Sequence, residues 1–318
     1  MTEFVRTDDR HFDQLDDWPY APNYHQWKDL RVHYVDVGPP DGPVALLLHG
    51  MPDWAYLYRT MIPGLVEAGY RCIAPDHLGF GRSDKPTDPN WYSIARHTEV
   101  LTSLVTALDL RKMTLVCQDW GGPTGLAQAA MMPERFSRLI IMNTWLHQPD
   151  WEYSDGIKNW IAGWHPGGLF DVEKPNLALL LVMSAGLIDP ATALASITGE
   201  VPALEGEAAN MYAGFAAPFR DLPDEGFNGP RRFPLSIPAN DPDSGNAAAQ
   251  TMHYQRLLDL DIPAQFIWGC QDHIFTEAWG RAWAEAMDAP FYALDNAGHF
   301  PQLTHGPEIV ECIVGGTP

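Results

Sequence analysis

Short, wholly apolar runs recur along the first part of the chain. Val44-Ala45-Leu46-Leu47-Leu48 has no polar position, as a strand covered on both faces requires. Arg71-Cys72-Ile73-Ala74-Pro75, Met113-Thr114-Leu115-Val116-Cys117 and Arg138-Leu139-Ile140-Ile141-Met142 read the same way, each with one polar residue at or near its start. Leu30-Arg31-Val32-His33-Tyr34-Val35-Asp36-Val37 alternates instead, which predicts a half-buried strand. Between these runs, 56–68 and 94–108 are amphipathic, and Ser93 stands where the second stretch needs an N-cap. Strands alternating with helices predict right-handed crossovers and a mainly parallel sheet with helices on its faces.

The rhythm breaks after Met142. No buried strand is legible from about Trp145 to about Pro238, a segment rich in Ala, Leu, Pro, Gly and aromatic residues. Helices are predicted at 177–187, 191–196 and 206–215. The Pro-rich run Phe233-Pro234-Leu235-Ser236-Ile237-Pro238 is expected to return the chain to the core. The alternation then resumes with a strand at 264–269, a helix at 277–287, a strand at 290–294 and a last helix at 307–314. The expected division is a core of 1–144 and 239–318 carrying a helical cap of 145–238.

The chain has 318 residues, 46% of them apolar, which is ample for a large core. Twenty Lys and Arg face 41 Asp and Glu, for a formal charge of −21. That field repels phosphate backbones and anionic lipid, so no nucleic-acid or membrane partner is expected. The N-terminus is polar, with no signal-peptide h-region, and no apolar stretch reaches the ~20 residues of a membrane span. Cys72, Cys117, Cys270 and Cys312 have neither metal-site nor disulfide-framework spacing. These features predict a cytoplasmic protein without metal or cofactor.

The chemistry begins at Leu115-Val116-Cys117-Gln118-Asp119-Trp120-Gly121-Gly122-Pro123-Thr124-Gly125: a buried strand, a sharp turn and a helix start. A nucleophile elbow needs small residues two before and two after its apex, because strand and helix nearly touch there. Cys117 and Gly121 meet that demand, and the apex is Asp119. A carboxylate can displace a leaving group from an sp³ carbon and form an alkyl ester. The following helix start favours its ionised form.

Hydrolysing such an ester needs a base. His299, in Asp295-Asn296-Ala297-Gly298-His299-Phe300-Pro301-Gln302, follows the last predicted strand, where the histidine of an α/β-hydrolase stands. The acid that orients it should end an intervening strand. Asp272, in Trp268-Gly269-Cys270-Gln271-Asp272, fits best. Asp295 is too close in sequence to reach the far ring nitrogen, and Asn143, at another permitted strand end, is an amide without charge. The turn after 44–48, Leu48-His49-Gly50-Met51-Pro52-Asp53-Trp54, can aim the Met51 N–H at the nucleophile. With the Trp120 N–H it would form an oxyanion hole.

These segments resemble those of haloalkane dehalogenases over almost the whole chain. The oxyanion-loop motif is matched by His49-Gly50-Met51-Pro52-Asp53-Trp54-Ala55-Tyr56-Leu57-Tyr58-Arg59. The glycine-rich turn is matched by Ala74-Pro75-Asp76-His77-Leu78-Gly79-Phe80-Gly81-Arg82-Ser83-Asp84-Lys85-Pro86. Gln118-Asp119-Trp120-Gly121-Gly122 and Ala297-Gly298-His299-Phe300-Pro301-Gln302 match the nucleophile and histidine segments. Arg6-Thr7 and Tyr20-Ala21-Pro22-Asn23-Tyr24 also fit. The resemblance implies an α/β-hydrolase fold and hydrolysis of a halogenated hydrocarbon to alcohol, halide and proton through a covalent alkyl-aspartate. It also implies two indole N–H groups for the halide: Trp120 and one cap tryptophan. Of Trp145, Trp151, Trp160 and Trp164, Trp160 best matches the family's position, with Trp164 next. Two departures are visible. Met51 stands where relatives often have an acidic or amide residue, and Pro301-Gln302-Leu303-Thr304 lacks the acidic residue that often follows the histidine motif.

Three other readings make distinct demands. An epoxide hydrolase shares the Asp nucleophile but needs two cap tyrosines, for which Tyr153, Tyr212 and Tyr254 are available. A fluoroacetate-type dehalogenase needs Arg just after the nucleophile, where this chain has Trp120-Gly121. A non-catalytic binding module would be expected to have lost a triad member, and none is missing.

Overall fold

The computed structural model describes residues 1–239 and 246–316. Its strands are β1 (Phe4–Val5), β2 (Asn23–Trp27), β3 (Leu30–Val37), β4 (Val44–Leu48), β5 (Arg71–Pro75), β6 (Lys85–Pro86), β7 (Met113–Asp119), β8 (Phe136–Thr144), β9 (Ala264–Gly269) and β10 (Phe291–Leu294). Eight of them form one sheet in the order β10-β9-β8-β7-β4-β5-β3-β2, while β1 and β6 pair as a small separate ribbon. From β10 through β5 every pairing is parallel; β3 and β2 add antiparallel pairings at one edge. Every residue of β4 and β7 is buried, which is why their sequences are unbroken by exposed polar positions.

The helices are α1 (Ile62–Glu67), α2 (Ile94–Ala107), α3 (Gly121–Met131), α4 (Asp155–Trp164), α5 (Ala178–Ser184), α6 (Pro190–Ala195), α7 (Gly206–Ala216), α8 (Asn228–Leu235), α9 (Ala247–Leu258), α10 (Glu277–Ala286) and α11 (Pro301–Val314). Ser93 caps α2, its hydroxyl accepting from Arg96 N–H. Five helices, α4 to α8, occupy the stretch between β8 and the undescribed 240–245, and no strand interrupts them among the described residues.

Two expectations need correction, and one helix was not foreseen. The 56–68 stretch is a 3-10 turn, Ala55–Tyr58, followed by the short α1 rather than one helix. The Pro-rich run expected to lead back to the core begins inside α8, with Phe233, Pro234 and Leu235 all helical. Pro230 sits in the first turn of that helix, where a missing N–H costs nothing. Pro234 falls near the C-terminal end, so the two prolines bracket a helix instead of preventing one. The last helix starts at Pro301, not 307, and passes Pro307 through a kink at His305. The proposed boundary at 238/239 abuts 240–245, which lie outside the described residues.

Candidate active site

Asp119 ends β7 with φ +48°, a left-handed conformation that Asp and Asn tolerate better than other side chains. The chain then turns directly into α3. The crowding expected at the elbow is present. A Cβ on Gly121 would run into the Leu48 carbonyl, and one on Gly50 would run into the Asp119 carboxylate itself. The Thr144 hydroxyl, at the end of the neighbouring β8, donates to the Asp119 carbonyl and pins the turn.

The parallel order brings the other groups alongside. Asp272 follows β9 and His299 follows β10, so both emerge at the same end of the sheet as Asp119. His299 Nδ1 lies 2.8 Å from Asp272 Oδ2, and its Nε2 lies 3.6 Å from Asp119 Oδ2. Asp119 Oδ1 accepts from the Met51 backbone N–H at 2.8 Å. No hydrogen bond from the Trp120 amide to that carboxylate is present among the described residues. Of the two expected oxyanion donors, Met51 alone is engaged. Asp295 is exposed and makes no contact with His299 among the described residues.

Sequence reading assigned Asn143 no part, yet it organises the acid. Its Nδ2 donates to Asp272 Oδ2 at 2.9 Å and to the Gly269 carbonyl at 3.1 Å, while its Oδ1 accepts from Gly269 N–H at 2.8 Å. Ile274 N–H supplies Asp272 Oδ1 at 2.7 Å. The buried Asp272 carboxylate thus has three donors, counting the imidazole, which is how a buried charge is tolerated. The signal available was positional: a polar residue directly after the apolar run Leu139-Ile140-Ile141-Met142, near the end of the strand beside β9.

Burial disfavours charge on the His299 ring. The charge of Asp272 and the hydrogen bonds to Asp119 and Asp272 outweigh it and carry the imidazole pKa up to about 10. Between Asp119 and the helical segment lies a cavity of about 260 Å³. Asp119, His299, Trp120 and Trp160 line it, with walls that include Phe170, Leu180, Met183, Leu194, Ile237 and Phe275. Ser184, the remaining polar side chain among the described lining residues, donates its hydroxyl to the Leu180 carbonyl at 2.7 Å. The indole N–H groups of Trp120 and Trp160 have no protein acceptor among the described residues. Trp145, Trp151 and Trp164 do not line the cavity, and the indole nitrogens of Trp145 and Trp164 are buried away from it.

The tyrosines that an epoxide hydrolase would use are elsewhere. Tyr153 bonds His147 at 2.9 Å, and Tyr212 lines a different surface hollow. Among the described residues, no tyrosine or arginine lines the cavity.

The family model for the alpha/beta hydrolase fold matches residues 43–306. The haloalkane dehalogenase of Psychrobacter cryohalolentis is 35% identical, with 98% of this chain and 97% of that protein covered. Haloalkane dehalogenase 1 of Mycobacterium tuberculosis is 37% identical, with 97% of each covered. The chain belongs to the haloalkane dehalogenase family. Among solved structures, the tetrameric haloalkane dehalogenase DpaA of Paraglaciecola agarilytica NO2 superposes with a TM-score of 0.82 at 31% identity, over 97% of each chain. Beyond the dehalogenases, a cis-3-alkyl-4-alkyloxetan-2-one decarboxylase of Shewanella oneidensis is 27% identical over 89% of this chain and 83% of its own length. The described cysteines are all unpaired, and no helix among the described residues is long and apolar enough to cross a membrane.

Proposed function

We propose that this protein hydrolyses haloalkanes to alcohol, halide and proton, with Asp119 as nucleophile, His299 as base and Asp272 as its orienting acid. One combination carries the reading: an apolar cavity lined by Asp119 and by two tryptophans, Trp120 and Trp160, whose indole N–H groups have no protein acceptor among the described residues. An apolar wall suits a hydrocarbon chain, and neutral N–H donors suit an anion that forms and must then leave.

The Met51 bond assigns roles to the two carboxylate oxygens. Oδ1 lies in the oxyanion hole, which leaves Oδ2 to attack carbon as the carbon–halogen bond breaks. Halide departs towards the Trp120 and Trp160 N–H groups. Oδ1 becomes the ester carbonyl oxygen, already positioned to take negative charge when water adds. Esterification also removes the Asp119 charge, one of the influences that keep His299 protonated, so the ring's pKa falls as the need for a base arises. His299 takes a proton from water as the water oxygen adds to the ester carbonyl carbon; the tetrahedral adduct collapses to the carboxylate and alcohol, and the proton held by His299 passes to solvent.

Helices α4 to α8 serve as the cap, with 145–238 as its span, and the unpaired thiols favour a cytoplasmic location. Halide release from 1-bromobutane and opening of 1,2-epoxybutane, measured on one preparation, test the assignment. Bromide release that disappears in Asp119→Ala supports it; epoxide opening without bromide release overturns it.

A further inference from the structure

The carboxamide of Gln118, one residue before the nucleophile, has no part in the roles assigned above. It is fully buried on β7. Its Nε2 donates to the His299 backbone carbonyl at 3.0 Å and stands 3.3 Å from His299 Nε2. Its Oε1 is buried with no hydrogen-bond partner among the described residues.

The first contact sets the orientation of the amide. Turned over, Oε1 would face the His299 carbonyl, acceptor against acceptor. The group that faces the ring nitrogen is therefore a donor. On the opposite side, Nδ1 faces a carboxylate, which only accepts, so Nδ1 carries a proton. Nε2 is then the atom that gains and loses the catalytic proton. A fixed N–H donor can bond the lone pair of the neutral ring, but it opposes the N–H of the imidazolium. The orphaned Oε1 sharpens the point. A buried unpaired acceptor is a cost that an apolar side chain of similar shape would avoid, so the amide calls for an explanation beyond packing.

We propose that Gln118 is a positioning residue that holds His299 in its neutral, proton-accepting form while the alkyl ester is hydrolysed, a role that rests on the two-step reading above. It works against the charges that favour the imidazolium. These are Asp272 after β9, Asp119 until it is esterified, and the buried Asp53 behind the oxyanion loop, itself paired with His49 at 2.9 Å. Alkylation needs no base, so the first step should be indifferent to Gln118.

Rapid-quench kinetics with 1-bromobutane separate the two steps. Gln118→Met keeps the shape and deletes the donor; Gln118→Glu keeps the shape and presents a carboxylate. In Gln118→Met the bromide burst should stay within about twofold of the parent. Alcohol formation should slow about tenfold at neutral pH and recover in alkali, its acid limb displaced upward by about one pH unit. Gln118→Glu should move that limb further, and it supplies the same readout if the Met variant does not fold. An acid limb that stays at the parent pH in the folded variants overturns the proposal, as does equal loss of both steps. Absence of bromide release by the parent enzyme overturns the dehalogenase reading and this proposal with it.

Discussion

Replacing Trp160 by Phe keeps a ring in the cavity wall and deletes one hydrogen-bond donor. Trp160 packs edge-on against Phe170 at 4.9 Å and against Trp164 at 5.6 Å, contacts that a phenyl ring can largely retain. The loss should therefore be read in the chemistry and not in folding. A hydrogen bond to a charged group is worth about 1.5–3 kcal/mol. If that bond forms fully only as the halide develops charge, each 1.36 kcal/mol is a factor of ten in rate. The halide-forming step should then slow roughly ten- to hundredfold. The loss should be greater with a chloroalkane than with a bromoalkane, because bromide leaves more readily. Trp164→Phe is the control: Trp164 stacks on Phe170 at 4.8 Å, but its indole nitrogen is buried outside the cavity. First-turnover halide release in the two variants decides the matter. Equal effects, or a larger effect at Trp164, would refute the assignment of Trp160.

Other outcomes follow from the same geometry. His299→Phe should release about one halide per site and stall, with mass spectrometry placing the alkyl group on the Asp119 peptide; full turnover would rule out His299 as the base. Asn143→Ala removes the three bonds that tie Asp272 to the Gly269 backbone and should cost about 1–3 kcal/mol in denaturant unfolding. An unchanged unfolding midpoint would argue that those bonds contribute nothing net. The His299 pKa is raised from 6.5 to about 10 in the folded protein, so its ionic contribution to stability is complete below about 6.5 and disappears as pH climbs through 10. The melting temperature of His299→Gln should accordingly decline less across that alkaline range than that of the parent; parallel curves would contradict the shift.

The parallel strands were readable because burial on both faces keeps their middles largely apolar, and the elbow because steric crowding restricts its neighbours to small ones. The edge strand Asn23–Trp27 was not singled out, since four of its five residues are partly or fully exposed and carry polar Asn, His and Gln. The prolines of 228–235 masked a helix because their position within it, not their presence, decides the outcome. Asp119, Asp272 and His299 could be selected from the order and the strand ends on which they stand. Asn143 and Gln118 could not, because an amide's part depends on which atoms face it, and that is a property of adjacent strands rather than of spacing along the chain. The choice among the cap tryptophans came from resemblance, and only the cavity separates Trp160 from Trp164.

Strand ends and cavity walls are held by different interactions. Asp119, Asp272 and His299 follow three parallel strands, and their placement is set by backbone pairing within the sheet. Leu180, Met183 and Leu194 lie on α5 and α6 and touch the substrate space without bonding to any of those three groups. A population can therefore drift through wall residues, and with them through substrates, while the reaction stays constant. A change of reaction must instead be bought at the strand ends, where each replacement meets a crowded turn and a satisfied hydrogen-bond set. Descendants of such a scaffold should diversify readily in what they degrade and rarely in how they degrade it.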